Sequence, residues 1–276
     1  MKVEGIRMFI NTLSDSKSNV FRNCKLRYLY NYEEHYVGDE GLDDDTMKFG
    51  NYVHRIFELG WDGATEDSLH RIADDIQDNY KFKKKLNRKK LERCIKNFVK
   101  FNDKLTETVG VELDYLIEFK KGINLHGIMD RVIKSPNGNY LIIDYKTGKE
   151  KTKEQLKGDS QLMGYAYAAT RLFKVPIGRV TVGHFYPNSG RFIHCQYTRF
   201  QIENYIRQRV KDVWDIRKLK KTDAVPCPGK LCDWCQFKSI CPEFEDPHTV
   251  TERLKTRKRT EKPPKDDNIT ILKLDE

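Results

Sequence analysis

No apolar run in these 276 residues approaches the roughly 20 needed to cross a bilayer as a helix, which argues against an integral membrane protein. The N-terminus, Met1-Lys2-Val3-Glu4-Gly5, lacks the apolar stretch and cleavage site of a secretory signal. Seven cysteines without such a signal argue against a disulfide framework and for thiols kept reduced. There is no internal repeat and no helicase motif. These absences lead us to expect a soluble protein with no membrane partner.

What is abundant is positive charge. The formal net charge of +10 and pI near 9.1 favour a polyanionic partner, although charge alone identifies none. Basic residues thicken at Lys81-Phe82-Lys83-Lys84-Lys85-Leu86-Asn87-Arg88-Lys89-Lys90, which reads either as a solvated helix face or as a phosphate-binding run.

Periodicity divides the chain. Residues 21–32 form an aromatic-basic stretch that reads as a helix bearing Cys24. Asp43-Asp44-Asp45 supplies an acidic first turn, suited to the helix dipole, for a helix with Phe49, Val53, Ile56, Phe57 and Gly60 at helical spacing. Residues 66–109 read as two charged helices. The period then changes, with strands expected over 111–119, 123–133 and 139–145 and turn residues between the last two. A helix over 155–173, strands over 179–186 and 192–197, and a helix over 199–220 follow. The buried side of that last helix is expected to carry Ile202, Ile206, Val210, Val213 and Trp214. Residues 246–276 read as a charged, mobile tail, apart from the alternating segment 269–274, which could pair with a sheet edge, its own or a partner's.

The chemistry concentrates in the middle strands. Gly127-Ile128-Met129-Asp130-Arg131-Val132 puts an acid on one apolar strand, and Asp144-Tyr145-Lys146-Thr147-Gly148 ends the next. Adjacent strands can bring two carboxylates together around a divalent cation. Lys146 shares the strand parity of Asp144 and so points into the same site. The set suits phosphodiester hydrolysis, where a metal activates water and neutralises charge on the phosphate. The bland alternative is a strand running into a glycine turn with two solvated charges.

Together these motifs resemble the RecB-like branch of the PD-(D/E)XK nucleases, most closely the iron–sulfur exonucleases that include CRISPR-associated adaptation nucleases and phage relatives. The resemblance covers roughly residues 15–245. It implies an α/β fold, a mixed central sheet flanked by helices in αβββαβ order, with an added helical and cysteine-bound subdomain. The expected division is 1–110 helical, 111–222 nuclease core, 223–245 cysteine cluster and 246–276 tail. Gly50-Asn51-Tyr52-Val53-His54 matches the family's histidine metal ligand, Asp130 and Asp144 its acids, and Lys146 its lysine. The resemblance implies Mg²⁺ or Mn²⁺ held by His54, Asp130 and Asp144, with the Tyr145 carbonyl as an extra ligand. Glu118 is the better match to a contributing glutamate on the preceding strand, with Glu112 behind it. Gln161 and Tyr165 match the family's Gln-x-x-x-Tyr, a spacing that puts both on one helical face.

Cys232, Cys235 and Cys241 match the family's C-terminal cysteine triplet, and Cys24 its distant fourth ligand. Four thiolates suit a 4Fe–4S cluster. Cys24 is followed by Lys25 where the family often has proline, and Cys227 adds a fourth local thiol. A structural Zn²⁺ site including Cys227 therefore stands as the alternative. Cys94 and Cys195 read as packing residues.

The function implied is a metal-dependent DNA exonuclease on single strands or DNA ends, in phage recombination or replication or in CRISPR-type adaptation. It would be cytoplasmic, in a prokaryotic cell or a phage-infected host. Phe185-Tyr186 and the tyrosines of residues 28–32 are candidates for stacking on bases, or for the core. The competing reading is a DNA-binding or partner-recruiting module whose cleavage is incidental, with a protein partner bound through the C-terminal tail.

Overall fold

The computed structural model describes residues 10–39 and 45–259. The chain opens with strand β1 (Thr12–Leu13) and helices α1 (Asp15–Asn23) and α2 (Lys25–Tyr28), the second running into a π-helical turn at Leu29–Glu33. Helices α3 (Asp45–Gly60), α4 (Glu66–Ile76) and α5 (Arg88–Asn102) follow. Next come strands β2 (Glu107–Lys120), β3 (Ile123–Lys134) and β4 (Tyr140–Tyr145), then helices α6 (Lys153–Lys157) and α7 (Ser160–Leu172). Strands β5 (Val180–Tyr186) and β6 (Arg191–Cys195) and helices α8 (Arg199–Lys218) and α9 (Pro247–Thr256) complete the order.

The described residues fall into two compact units, one of residues 10–39, 116–126 and 204–259, the other of residues 45–115 and 127–203. In the larger unit β3 and β4 are antiparallel with Arg131 opposite Ile143, β4 and β5 are parallel, and β5 and β6 are antiparallel. This is the mixed sheet that the sequence implies. One face is covered by α3, α4 and α5. Helical spacing brings Tyr52, Val53, Ile56 and Phe57 into a core with Leu69, Ile95, Phe98, Ile143, Tyr145 and Phe185. Phe57 stacks on Phe98 with centroids 3.8 Å apart, and Phe101 on Phe185 at 4.0 Å. Helix α7 packs against β4 and β5, burying Gly164, Ala166, Ala168 and Ala169, small residues that permit a close approach.

The smaller unit has its own core. Leu13, Phe21, Leu26, Tyr28 and Tyr30 pack with Val213, Ile216, Phe237 and Ile240. Strand β1 lies parallel to the start of β3, with Thr12 opposite Asn124.

Four local expectations differ from the structure. The stretch 21–32 is not one helix, because Cys24 takes an extended backbone (φ −159°) that ends α1 and starts α2. The helix expected over 155–173 is two helices, because Asp159 leaves the helical path and caps α7, accepting from the Leu162 N–H at 3.2 Å. Helix α8 buries Arg209 and Asp212 beside Val213 and Ile216, whereas Trp214, expected inside, is 47% exposed. The aliphatic stripe misled because both charged residues find ion-pair partners. Helix α9 occupies ten residues read as tail, and Arg257 beyond it pairs with Asp39 at 2.7 Å. The segment 269–274 and Asp43-Asp44 lie outside the described residues.

Candidate active site

The site is built at the end of β4. Asp130 and Asp144 stand one residue beyond the last registered pair of β3 and β4, and both are buried. The Tyr145 N–H donates to Asp130 Oδ2 at 2.6 Å. His54, on α3, reaches the same place: its Nε2 lies 2.7 Å from the Tyr145 carbonyl oxygen and its Nδ1 3.4 Å from Asp130 Oδ2.

Glu112 completes the group. Among the described residues, His54, Glu112 and Asp130 form a set whose ligand atoms all lie within 4.8 Å of one another. Glu112 sits inside β2 with φ 46°, a left-handed conformation that costs a non-glycine residue roughly 1–3 kcal/mol and is typical of functional sites. Glu118, the better match by sequence, instead accepts from the Gly122 N–H at the β2–β3 turn. The glutamate at the site is therefore Glu112.

Burial, with the crowding of acids second, governs the electrostatics. Burial, then the Asp130 charge, pushes Glu112 up to about 7. Burial and the neighbouring Asp144 charge likewise push Asp130 up. Burial pulls the Lys146 ammonium down, but Asp144, by charge and hydrogen bond, together with Asp130 and Asp159, outweighs it and holds the lysine protonated. Burial holds the His54 imidazole low and neutral, the form that can ligate a metal. Three acids gathered about a single ammonium form a site suited to a further cation, and two carboxylates with an imidazole are a donor set that Mg²⁺ or Mn²⁺ accepts.

Asp144 points elsewhere within the same site. Its Oδ2 lies 2.7 Å from Lys146 Nζ. Lys146 Nζ donates to Gln161 Oε1 at 3.3 Å, Gln161 Nε2 donates to the Tyr165 hydroxyl at 2.8 Å, and that hydroxyl faces Asp144 Oδ1 at 3.5 Å. The four side chains close a ring in which the Gln161 amide accepts from one neighbour and donates to the next. The structure thus brings together His54, Asp130, Asp144, Tyr145, Lys146, Gln161 and Tyr165. Sequence reasoning passed over His184, which lies opposite Asp144 in β5 with Nε2 3.6 Å from Asp144 Oδ2, and the pair Lys151–Asp159 at 2.5 Å. A histidine in an otherwise apolar strand was the available signal.

The basic run Lys81–Lys90 divides at the start of α5. Lys81, Phe82, Lys84, Lys85 and Arg88 line a cavity of about 380 Å³, and Asp45 accepts from the Lys83 and Lys84 N–H groups beside it. Of the stacking candidates, Phe185, Tyr186, Tyr28 and Tyr30 are buried in the described structure, which leaves them packing residues.

In the smaller unit, Cys24, Cys227, Cys232, Cys235 and Cys241 line a cavity of about 220 Å³. Cys24 ends α1 and caps α2, its sulfur accepting from the Arg27 N–H at 3.4 Å. Burial raises the Cys235 and Cys241 thiols, and the charges of Cys24 and Cys232 raise both further. Cys227 is exposed, while Cys94 and Cys195 are buried as packing residues.

This geometry agrees with what the chain resembles. Its residues 12–242 match the family model of the PD-(D/E)XK nuclease superfamily, and the chain belongs to that superfamily. It is 23% identical over 151 residues to an ATP-dependent helicase/deoxyribonuclease subunit of Streptococcus uberis. That match takes in 50% of this chain but spans only 14% of the relative's length. A crystal structure named "Putative exonuclease" from Eubacterium rectale shares the fold at TM-score 0.53, with 14% identity, 82% of this chain covered and 87% of that one. The chain is thus a nuclease-superfamily α/β protein with a candidate divalent-metal site. No described helix is long and apolar enough to cross a membrane.

Proposed function

We propose that this protein is a Mg²⁺- or Mn²⁺-dependent deoxyribonuclease that works as an exonuclease on single-stranded DNA or DNA ends. The observation that carries the reading is the convergence of His54, Glu112 and Asp130 beside the Asp144–Lys146 pair. His54, Asp130, Asp144 and the Tyr145 carbonyl, with Glu112, are the residues that would hold the metal. When bound, it would supply a polarised water and charge neutralisation at the scissile phosphate. Lys146, kept protonated, orients the attacking water or the phosphate rather than accepting a proton. Gln161 and Tyr165 hold Lys146 and Asp144 in place through their closed ring. Lys81, Lys84 and Lys85 offer cations to the DNA backbone, a contact without sequence preference.

We assign Cys24, Cys232, Cys235 and Cys241 to a 4Fe–4S cluster that ties α1 to the C-terminal residues of the smaller unit. Two observations favour it over zinc. Cys24, Cys232, Cys235 and Cys241 are all half-buried around the cavity, whereas Cys227 is exposed. A single zinc with bonds of about 2.3 Å would hold its sulfurs within about 4 Å of one another. Among the described residues, no three of these sulfurs lie mutually within 4.8 Å. A multi-iron cluster spreads its thiolates farther. Cys24→Ser is expected to lose iron while Cys227→Ser keeps it; a zinc site predicts the reverse.

By analogy with the family, the protein acts in phage recombination or replication or in CRISPR-type adaptation, in the cytoplasm of a prokaryote or an infected host. We further propose that the C-terminal residues 246–276 recruit a protein partner. Anaerobically purified protein incubated with end-labelled single-stranded DNA and Mg²⁺ or Mn²⁺ tests the central reading. Degradation by wild type, but not by Asp130→Ala or Lys146→Ala, supports it, and the product ladder gives the polarity. Binding of DNA without cleavage by the wild type favours a binding module instead.

A further inference from the structure

His184 occupies β5, the strand running parallel beside β4, in register with Asp144, and it is fully buried. Its Nε2 is one of the few buried side-chain atoms among the described residues without a hydrogen bond, and it faces Asp144 Oδ2 at 3.6 Å, an oxygen that Lys146 Nζ also holds at 2.7 Å. A second carboxylate oxygen, Asp159 Oδ2, lies 3.9 Å from the same nitrogen. Buried polar atoms are seldom left unpaired, and a ring nitrogen that faces a carboxylate oxygen with a lone pair to spare across a short gap points to a contact that closes in the working state.

Charge and hydrogen bonding together decide where the proton lies. Asp144 is paired with Lys146 at 2.7 Å and Asp159 with Lys151 at 2.5 Å, so two acids and two ammoniums balance without a charged imidazole. The Tyr186 hydroxyl accepts from the Lys151 backbone N–H at 2.9 Å, which leaves its own proton to donate to His184 Nδ1 at 3.2 Å. With Nδ1 accepting, the ring proton belongs on Nε2, aimed at Asp144.

We propose that His184 is a positioning residue for the nuclease centre. Tyr186 holds it as the Nε2–H tautomer, and in that form it donates to Asp144 Oδ2 and fixes the orientation of that carboxylate. This rests on the reading of Asp144 as part of the metal-binding and Lys146 site. The role is that of an outer hydrogen-bond donor that aims a ligating carboxylate. Phe185 and Tyr145, the adjacent registered pair, belong to the hydrophobic core, so strand alternation separates this polar pair from the packing residues.

Nitrogen-15 NMR of the histidine rings, on metal-free protein, reads the tautomer. His184 is expected to carry its proton on Nε2, and Tyr186→Phe is expected to mix the two tautomers; a proton on Nδ1 in the wild type would overturn the proposal. Calorimetric Mn²⁺ titration reads the consequence. His184→Leu is expected to weaken Mn²⁺ binding about 10–100-fold, and His184→Gln, whose amide can place a donor where Nε2 stood, to recover most of it. Equal Mn²⁺ affinity in wild type and His184→Leu would also overturn the assignment. Should His184→Leu fail to fold, Tyr186→Phe and His184→Gln carry the comparison. Should the wild type cut no DNA, the nuclease reading fails, while the tautomer and the Mn²⁺ series still decide the role of His184.

Discussion

Two clusters of buried charge in this molecule solve the same problem in opposite ways. In the smaller unit, Arg209 pairs with Asp15 at 2.8 Å and with Asp212 at 3.3 Å, and Arg22 pairs with Asp212 at 2.9 Å. Ser18 and Gln208 also donate to Asp212, and Tyr205 donates to Asp15. Two arginines balance two aspartates, and both carboxylates are held by several donors, although Arg209 Nε has no hydrogen bond. In the larger unit, Glu112, Asp130 and Asp144 crowd together with one lysine and a neutral histidine, and two of the acids are pushed up as a result. Burial alone therefore does not mark a functional charge. A cluster balanced in charge is scaffolding; an unbalanced one is a site suited to a cation.

The sharpest way to break the comparison is to unbalance the first cluster. Asp212→Ala leaves Arg209 buried without one partner and is expected to cost about 3–5 kcal/mol, read from urea unfolding. The cleavage rate per folded molecule should not change. The complementary change, Lys146→Ala, is expected to lower the single-turnover cleavage rate about 10²–10³-fold with little loss of stability.

A third, smaller effect is electrostatic. Glu112 titrates at about 7 in the folded protein against 4.5 ordinarily, so the folded state keeps a proton that the unfolded chain has released. Its contribution to stability is full below pH 4.5 and is lost as pH rises through 7. Urea midpoints measured in chelator should show that decline in wild type and a flatter profile in Glu112→Gln. The smallest effect is expected at Arg199→Ala, whose pair with Glu203 is exposed at both ends; stability should change by no more than about 0.5 kcal/mol.

Much of this contrast was legible in the sequence, for a physical reason. Asp130, Asp144 and Lys146 lie on strands whose strict alternation tells which side chains share a face, and His54 sits on a helix whose apolar spacing is regular. Gln161 and Tyr165, one helical turn apart, needed only their spacing and the family resemblance. Glu112 was ranked second because strand parity treats it and Glu118 alike. The left-handed φ that singles out Glu112 leaves no composition signal. His184 escaped because its partner is set by the register of two parallel strands 40 residues apart, a non-local choice. Arg209 and Asp212 did not figure on the expected buried side of α8, because their partners on α1 lie about 190 positions away. Charged residues are read as exposed until their partners are known.

The most direct test of the contrast is a Mn²⁺ titration followed by electron paramagnetic resonance on wild type, Asp130→Asn and Asp212→Asn. The account predicts a tight Mn²⁺ site in wild type and Asp212→Asn that is lost in Asp130→Asn. Equal binding by Asp130→Asn and wild type would contradict it.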